Sequence, residues 1–321
     1  MDTTVNGSVW VVTRNFDATA DVVVEELNRR GVTVVRFDLD EITVAAELVG
    51  SRWVGQLRTP TRTARIEEAV GIYYRRPSRP AAPPGTDPEI GAWIEAEAYW
   101  GLRGLLAALP RERWLNWPPA VHAAEHKPYQ LTTAAACELA VPSTAVVNDP
   151  YYAARFAELA GPVLYKAFRG KPVRIDGRTH LTYATPVTAA QCHSDAIRTA
   201  PIMLQSQIDK VCDARITCVD EHLFAVTPRY LGGKIPLDWR VDHAAITWEQ
   251  IDVPDHVRIR LRDFLGRLGL RFAACDLCVD HAGTWWLIEA NPAGQWAWDH
   301  PLRDVIASAI ADALTQETTA L

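Results

Sequence analysis

The chain has 321 residues, 48% hydrophobic and 22% charged, an ordinary globular balance with material for about two domains at roughly 150 residues each. Thirty-three basic against 39 acidic residues leave a net charge of −6, which disfavours nucleic acid as a partner, since non-specific binding needs cations against phosphate. No apolar run approaches the ~18 residues of a membrane helix, the opening MDTTVNGSVW lacks a secretion-signal pattern, and six cysteines without such a signal suggest reduced thiols in a cytoplasm.

Ser8–Thr13 is a short, β-branched apolar run that predicts a strand. Asp17 is placed to cap a helix over Ala18–Arg30, with Val22, Val23 and Leu27 along one stripe; Gly31 ends it, and Val32–Phe37 predicts a second buried strand. Strand, helix and strand in this order predict a parallel unit. Residues 43–75 read as successive strands ending in Gly71–Arg76, residues 77–88 as a proline-rich loop, and roughly Glu89–Leu109 as a long helix. Trp114–Pro119 (WLNWPP) marks a boundary. Helix and strand then alternate to about residue 200. Strands follow over 203–208, 214–220 and 222–227, then a helix at Asp255–Leu268, a hairpin of Phe272–Val279 with Thr284–Ala290, and a closing helix over about 301–315. The class is α/β (α+β) in three segments, 1–118, 119–201 and 202–321.

Several familiar motifs are missing. The first strand is followed by RNFDATAD, with no G-x-G-x-x-G, and the chain has neither a P-loop nor a G-x-S-x-G elbow. His122-Ala-Ala-Glu-His126 matches an inverted zinc-hydrolase pattern, but Pro128 follows at once and interrupts any helix carrying both rings; the match reads as coincidence. Cys275 and Cys278 read as buried strand residues. The 12 tryptophans are explained most simply by core packing, with a groove for an extended ligand as the alternative.

One constellation carries chemistry. Glu289 and Asn291 alternate onto one face of a strand, and Asp276 lies on the partner strand of the same hairpin. With a two-residue loop, residue 280 pairs with 283, and Asp276 faces Leu287 diagonal to Glu289. Oxygen ligands on one face suit Mg²⁺ with phosphates. Lys127 sits between candidate helices and Lys166 in an apolar strand, where it must snorkel or meet an anion. Arg169–Gly177 is a basic hairpin able to fold over phosphates, and Met203–Lys210 is a strand running into a turn that offers backbone groups to an adenine ring.

In this order, Lys127, Lys166, the hinge Gln205-Ser206-Gln207-Ile208, Asp213-x-Arg215, Asp276 and Glu289-x-Asn291 resemble the ATP-grasp superfamily. The segments YYRRP, NWPPAVHAAEHKPYQL, LQSQIDKVCDARITCVDEHLFAV, PLDWR and IEANPAGQW bring the chain closest to the ribosomal-peptide maturases of that superfamily, the microviridin-type macrocyclases or graspetide synthetases. Two departures stand out: Ser206 follows the first hinge Gln where an acidic residue is common, and His126 precedes Lys127 where Asn is frequent.

The resemblance implies an ATP-grasp fold with an N-terminal pre-grasp domain over 1–118 and central and C-terminal grasp domains over 119–201 and 202–321. It implies ATP on Lys127, Lys166 and Gln205–Ile208, and Mg²⁺ on Asp276, Glu289 and Asn291. Arg215 would lie near the transferring phosphate, and Arg240, together with Arg76, would meet the acidic side chain of a precursor peptide made of leader and core. The middle domain would read the leader; Tyr151, Tyr152 and Phe156 are candidates to line that groove, or else form a helix core face. The reaction implied is ATP-dependent joining of an Asp or Glu side chain to a hydroxyl or amine, in the cytoplasm, and the resemblance admits a homodimer. The rivals are an ATP-grasp ligase adding a free amino acid and a non-catalytic nucleotide-binding protein.

Overall fold

The computed structural model describes residues 3–5, 7–170, 173–180, 182–230, 235–241 and 246–316. The first segment comprises β1 (Thr3–Val5), β2 (Ser8–Val12), α1 (Ala18–Arg29), β3 (Val34–Phe37), β4 (Thr43–Val49), β5 (Arg52–Arg58), β6 (Arg62–Arg65), β7 (Ala69–Tyr74), α2 (Pro88–Ala107) and the two-residue β8 (Trp114–Leu115). Asp17 caps α1, accepting from the Thr19 and Ala20 N–H groups. The expected parallel unit is present: a sheet in the order β3-β2-β7-β8 whose strands all run the same way. Side chains alternate across it. Val9, Val11 and Tyr73 enter one core with α1, while Trp10, Val12, Ile72 and Tyr74 enter another with Leu106 and Leu109. A second sheet, β1-β6-β5-β4, flanks it.

The middle segment holds α3 (Pro118–Ala124), α4 (Lys127–Ala136), β9 (Thr144–Val147), α5 (Pro150–Leu159), β10 (Val163–Lys166), β11 (Val173–Ile175), β12 (Arg178–His180), β13 (Thr185–Val187), α6 (Ala189–Cys192) and β14 (Ile202–Ser206). Its antiparallel sheet has the order β13-β10-β14-β9. The basic hairpin is β11–β12, turning through Asp176 and Gly177 at φ of 49° and 74°, the left-handed pair a two-residue hairpin turn requires. Lys171 and Pro172 of that segment lie outside the described residues. On α5, Tyr151 and Tyr152 are exposed rather than on a core face, and only Phe156 packs inward.

The last segment holds β15 (Lys210–Val219), β16 (His222–Tyr230), β17 (Ile246–Gln250), α7 (Asp255–Leu268), β18 (Phe272–Asp280), β19 (Trp285–Asn291) and α8 (Arg303–Thr315), with sheet order β17-β16-β15-β18-β19. Cys275 and Cys278 are buried in β18, as expected. The helices do not respect sequence segments. Ala120, Ala124 and Ala134 of α3 and α4 pack with α7 on this last sheet, and α8 returns to the first, where a methyl on Gly71 would come within 2.1 Å of the Leu314 carbonyl oxygen. We propose the three-domain reading with its first boundary near residue 118; β14 pairs within the middle sheet, so the second boundary falls after Ser206 and before β15, not at 201.

The β18–β19 register differs from expectation. The loop is one residue longer, so Leu277 pairs with Leu287 and Val279 with Trp285. That shift alone would place Asp276 opposite Ile288 and turn the acidic set to opposite faces. A bulge after Asp276 restores it: Asp276 pairs directly with Glu289, and Ala274 with Asn291. The extra residue, absorbed at Ile288, re-aims Glu289 onto the face of Asp276.

Candidate functional site

The middle and last sheets enclose a cleft lined by Lys127, Lys166, residues 205–208, Asp276, Glu289 and Arg240. Lys127 opens α4, and its Nζ lies 3.0 Å from Glu289 Oε2 and donates to the Ala167 carbonyl at 3.0 Å. Lys166 ends β10; its Nζ donates to Gln205 Oε1 at 2.9 Å, and Gln205 is braced in turn by Thr144. Behind the cleft wall, Arg215 reaches Asp276 Oδ2 at 2.7 Å and the Gln295 carbonyl at 2.7 Å. Asn291 donates from Nδ2 to Asp276 Oδ2 at 3.3 Å and to Glu289 Oε1 at 3.1 Å. Seven separately predicted positions therefore meet: Lys127, Lys166, Gln205, Arg215, Asp276, Glu289 and Asn291.

Two predictions are modified. In the hinge, the Ser206 N–H donates to Ser143 O at 2.8 Å and the Gln207 N–H to Pro162 O at 2.7 Å, so neither donor faces the cleft. Arg240 lines the cleft, but Asp238 grips its guanidinium at 2.6 and 2.8 Å, and Glu289 is 3.8 Å away. The zinc-like pattern is split between helices, with α3 ending at Ala124 and His126 capping α4. Among the described residues no group of three His, Cys, Asp or Glu side chains is placed to hold a metal. The basic hairpin contributes none of its described residues to the cleft, and Arg169 pairs with Glu125 at 3.6 Å.

The charges are unevenly balanced. Burial alone would raise the pKa of Glu289, but Lys127 and Arg240 outweigh it and hold the carboxyl well below its usual range. Asp276 goes the other way, raised by burial and by Glu289 against the opposing pull of Arg215. Burial lowers the Lys166 pKa to about 8, with Glu289 opposing and Lys127 and Arg240 reinforcing. Asp276 Oδ1 is buried without a hydrogen-bond partner. An orphaned carboxylate oxygen beside a second carboxylate and an amide fits a hard divalent cation, once the Asn291 amide turns its oxygen inward.

Comparison with known proteins bears on the fold. Residues 8–122 match the MvdD pre-ATP grasp domain family. The crystal structure of macrocyclase MdnC bound with precursor peptide MdnA from Microcystis aeruginosa MRC aligns at TM-score 0.84 and 25% identity, covering 96% of this chain and 99% of that one. The chain has the ATP-grasp fold.

Two further ATP-grasp structures align over the same length. A Chryseobacterium gregarium RiPP-associated ATP-grasp ligase, in complex with ADP and a leader and core peptide, gives TM-score 0.83 at 23% identity, covering 98% of this chain and 96% of that one. ATP-grasp ligase PsnB, complexed with minimal precursor, Mg and ADP, gives 0.73 at 20% identity, covering 98% and 99%. No curated protein gives a significant match.

In this ATP-grasp chain, residues without any sequence signal hold the site in place. Gln130 on α4 donates to the Ala290 carbonyl at 2.8 Å and accepts from the Ala290 N–H at 2.9 Å. It thereby fixes the backbone between Glu289 and Asn291, while its Nε2 also donates to Ala124 O. Asn116, 1% exposed, joins the segment boundary to β18. Its amide donates to Phe272 O at 2.7 Å and Pro292 O at 3.0 Å, and its oxygen accepts from the Arg271 and Phe272 N–H groups. At Gly294 an added methyl would meet Ala274 Cβ at 2.5 Å and Arg215 Nη2 at 3.0 Å, so the IEANPAGQW glycine lets the loop close on Arg215. Gln130→Ala should cost about 1–3 kcal/mol, because it strands buried Ala290 groups. It should also lower kcat by displacing Glu289 and Asn291. Denaturant melts with single-turnover kinetics check both; an unchanged kcat would contradict the positioning role.

Proposed function

We propose that this chain is an ATP-dependent peptide ligase that closes rings in a ribosomally made precursor peptide. The reading rests chiefly on the junction of Lys127, Lys166 and Arg215 with Asp276, Glu289 and Asn291 beneath a strand-end hinge, supported by end-to-end likeness to a macrocyclase bound to its precursor.

ATP would lie with its base against Gln205–Ile208. Gln205 would act mainly by orienting Lys166, and the Ile208 segment would supply backbone contacts. Lys127 and Lys166 would contact the α- and β-phosphates, since phosphoryl transfer depends on positioned cations. Asp276, Glu289 and Asn291 would hold Mg²⁺, which when bound neutralises charge shared between the phosphates. Arg215, braced by Asp276, would face the transferring group. An Asp or Glu carboxylate of the peptide attacks the γ-phosphorus, ADP leaves, and an acyl phosphate forms. A hydroxyl or amine of the same peptide then attacks the carbonyl, loses its proton and expels phosphate, leaving an ester or amide. Arg240 would help to hold the carboxylate in place.

Lys166 yields a separate expectation. Its folded pKa of about 8 lies below the ordinary lysine value, so its charge destabilises the empty protein at neutral pH, a cost that fades as pH rises from about 8 toward the unfolded value. Lys166→Met should therefore raise the melting temperature of the empty protein while removing nucleotide affinity. Calorimetry with and without ATP reads both; a lower melting temperature would contradict it.

The direct test of the chemistry is hydroxylamine trapping. With protein, ATP, Mg²⁺ and a candidate precursor, hydroxylamine should intercept the acyl phosphate as a hydroxamate on the acidic side chain. A hydroxamate on a protein or small-acid acceptor, in place of the precursor side chain, would instead support the ligase that adds a free amino acid, and ATP binding without turnover the non-catalytic reading.

A further inference from the structure

Arg240 is already paired with Asp238, and cationic side chains without such a partner lie elsewhere. Beyond the carboxyl ends of the parallel strands β2 and β7, Arg14 and Arg76 sit side by side, tied by the Arg14 N–H to the Arg76 carbonyl at 3.3 Å. Both are exposed. Beneath them, Arg75 is matched by Asp17 at 2.8 Å, and nearby Arg215 is matched by Asp276 at 2.7 Å. Arg14 and Arg76 have no carboxylate partner among the described residues. Arg76 Nε donates to the Ala293 carbonyl at 3.0 Å, which fixes its guanidinium against the loop that carries Gly294 and Gln295. Burial of part of the side chain first, and then the cations Arg75, Arg14 and Arg215, depress its pKa, against Asp17. Phe16, between Arg14 and Asp17, is 92% exposed. The ends of parallel strands are where open α/β sheets receive ligands.

Neither arginine lines the nucleotide cleft. Arg76 lies against the 293–295 loop, and Arg215 reaches that loop from behind the cleft wall through the Gln295 carbonyl. Two exposed arginines without a carboxylate partner, on a protein of net charge −6, are placed to meet an anion, with Glu41, held by Asn15 Nδ2, an exposed carboxylate on the Arg14 side. We propose that Arg14 and Arg76 form a second anion subsite that takes the carboxylate side chains of an acidic peptide segment, with the Phe16 ring covering the intervening backbone. This rests on the peptide-ligase reading and deepens it: the subsite selects peptides carrying an acidic residue next to the one activated at Arg215.

The test uses a fluorescein-labelled oligoglutamate, an oligoglutamine of equal length, and a fluorescent ATP analogue, each titrated by polarisation at low ionic strength against the full chain. Wild type should bind oligoglutamate in preference to oligoglutamine. Arg14→Ala and Arg76→Ala should each weaken oligoglutamate about tenfold or more, equivalent to about 1.4 kcal/mol, with ATP affinity and melting temperature unchanged. Arg76→Lys should recover part of the loss. Equal binding of the two peptides by wild type, or no loss in either variant, would overturn the proposal. Loss of ATP affinity instead would overturn it in favour of a phosphate subsite. If the oligoglutamate results hold while wild type fails to bind the ATP analogue, the subsite stands and the ligase reading fails.

Discussion

Glu289→Gln is expected to reduce ring formation by about 10²-fold or more, the scale of removing one charged group from a preorganised phosphoryl-transfer site, and to destabilise the empty protein as well. Glu289 is the carboxylate that Lys127 and Arg240 share, so its replacement leaves Lys127 Nζ with the Ala167 carbonyl as its partner among the described residues. Breaking a buried pair by removing one partner costs up to about 3–5 kcal/mol; Lys127 and Glu289 retain 19% and 13% side-chain exposure, which puts the loss toward the lower end. The pH dependence has a definite sign. Because the folded pKa of Glu289 is depressed, its stabilisation is present above the unfolded carboxyl range and disappears as pH falls through the folded value. Glu289→Gln should thus lower stability at neutral pH and flatten the acid limb of the stability curve. Asp276→Asn should remove activity to a similar extent but cost less stability, because burial already raises the pKa of that carboxyl. Urea melts across an acid-to-neutral series check the contrast; equal losses in the two variants would contradict it.

The second large effect is expected at Arg75→Ala, outside the cleft that holds Lys127 and Lys166. Arg75 and Asp17 have no exposed side-chain surface. The guanidinium bonds Asp17 at 2.8 Å, Tyr73 Oη at 3.1 Å, the Gly294 carbonyl at 3.3 Å and Gln295 Oε1 at 3.1 Å. Asp17 also caps α1 and accepts from Thr13 at 2.8 Å. One side chain therefore secures the first helix, the end of β7 and the loop that carries the Arg215 partner Gln295. Arg75→Ala should lower stability by about 3–5 kcal/mol, the cost of orphaning a buried charge. Asp17→Asn should lose less, since the amide oxygen keeps the N-cap. Because Asp17 is held below its ordinary pKa despite burial, by Arg75 above all, its contribution is present above the unfolded carboxyl value and fades as pH falls below it. A double-mutant cycle on these two residues should give a coupling energy well outside additivity; independent effects would show that the joint is not a unit.

Local pattern carried the elements well. Asp17 as a cap, the α7 bounds and the buried faces of β2 and β18 follow from periodicity and capping chemistry, which depend only on neighbours in sequence. The residues that line the candidate site were legible because charged residues in apolar strands are conspicuous. Their relative placement was less so. One residue in the β18–β19 loop and a compensating bulge at Ile288 decide whether Asp276 meets Glu289, and no alternation pattern reports a bulge that cancels a loop. Gln130 and Asn116 gave no signal, since a polar residue near a helix or boundary looks solvated until its long-range backbone partners are known. The PLDWR segment offers Arg240 as a cation but does not reveal that Asp238, two residues away, already holds it. In YYRRP the sequence offers two adjacent arginines, and only the fold separates buried Arg75 from exposed Arg76.

The central claim is that this site joins two side chains of one peptide. The measurement that tests it most directly is the intact mass of a candidate precursor after incubation with the protein, ATP and Mg²⁺. Loss of the mass of one water, or a multiple, is expected, dependent on ATP and absent with Glu289→Gln. A mass gain equal to an added amino acid would contradict it.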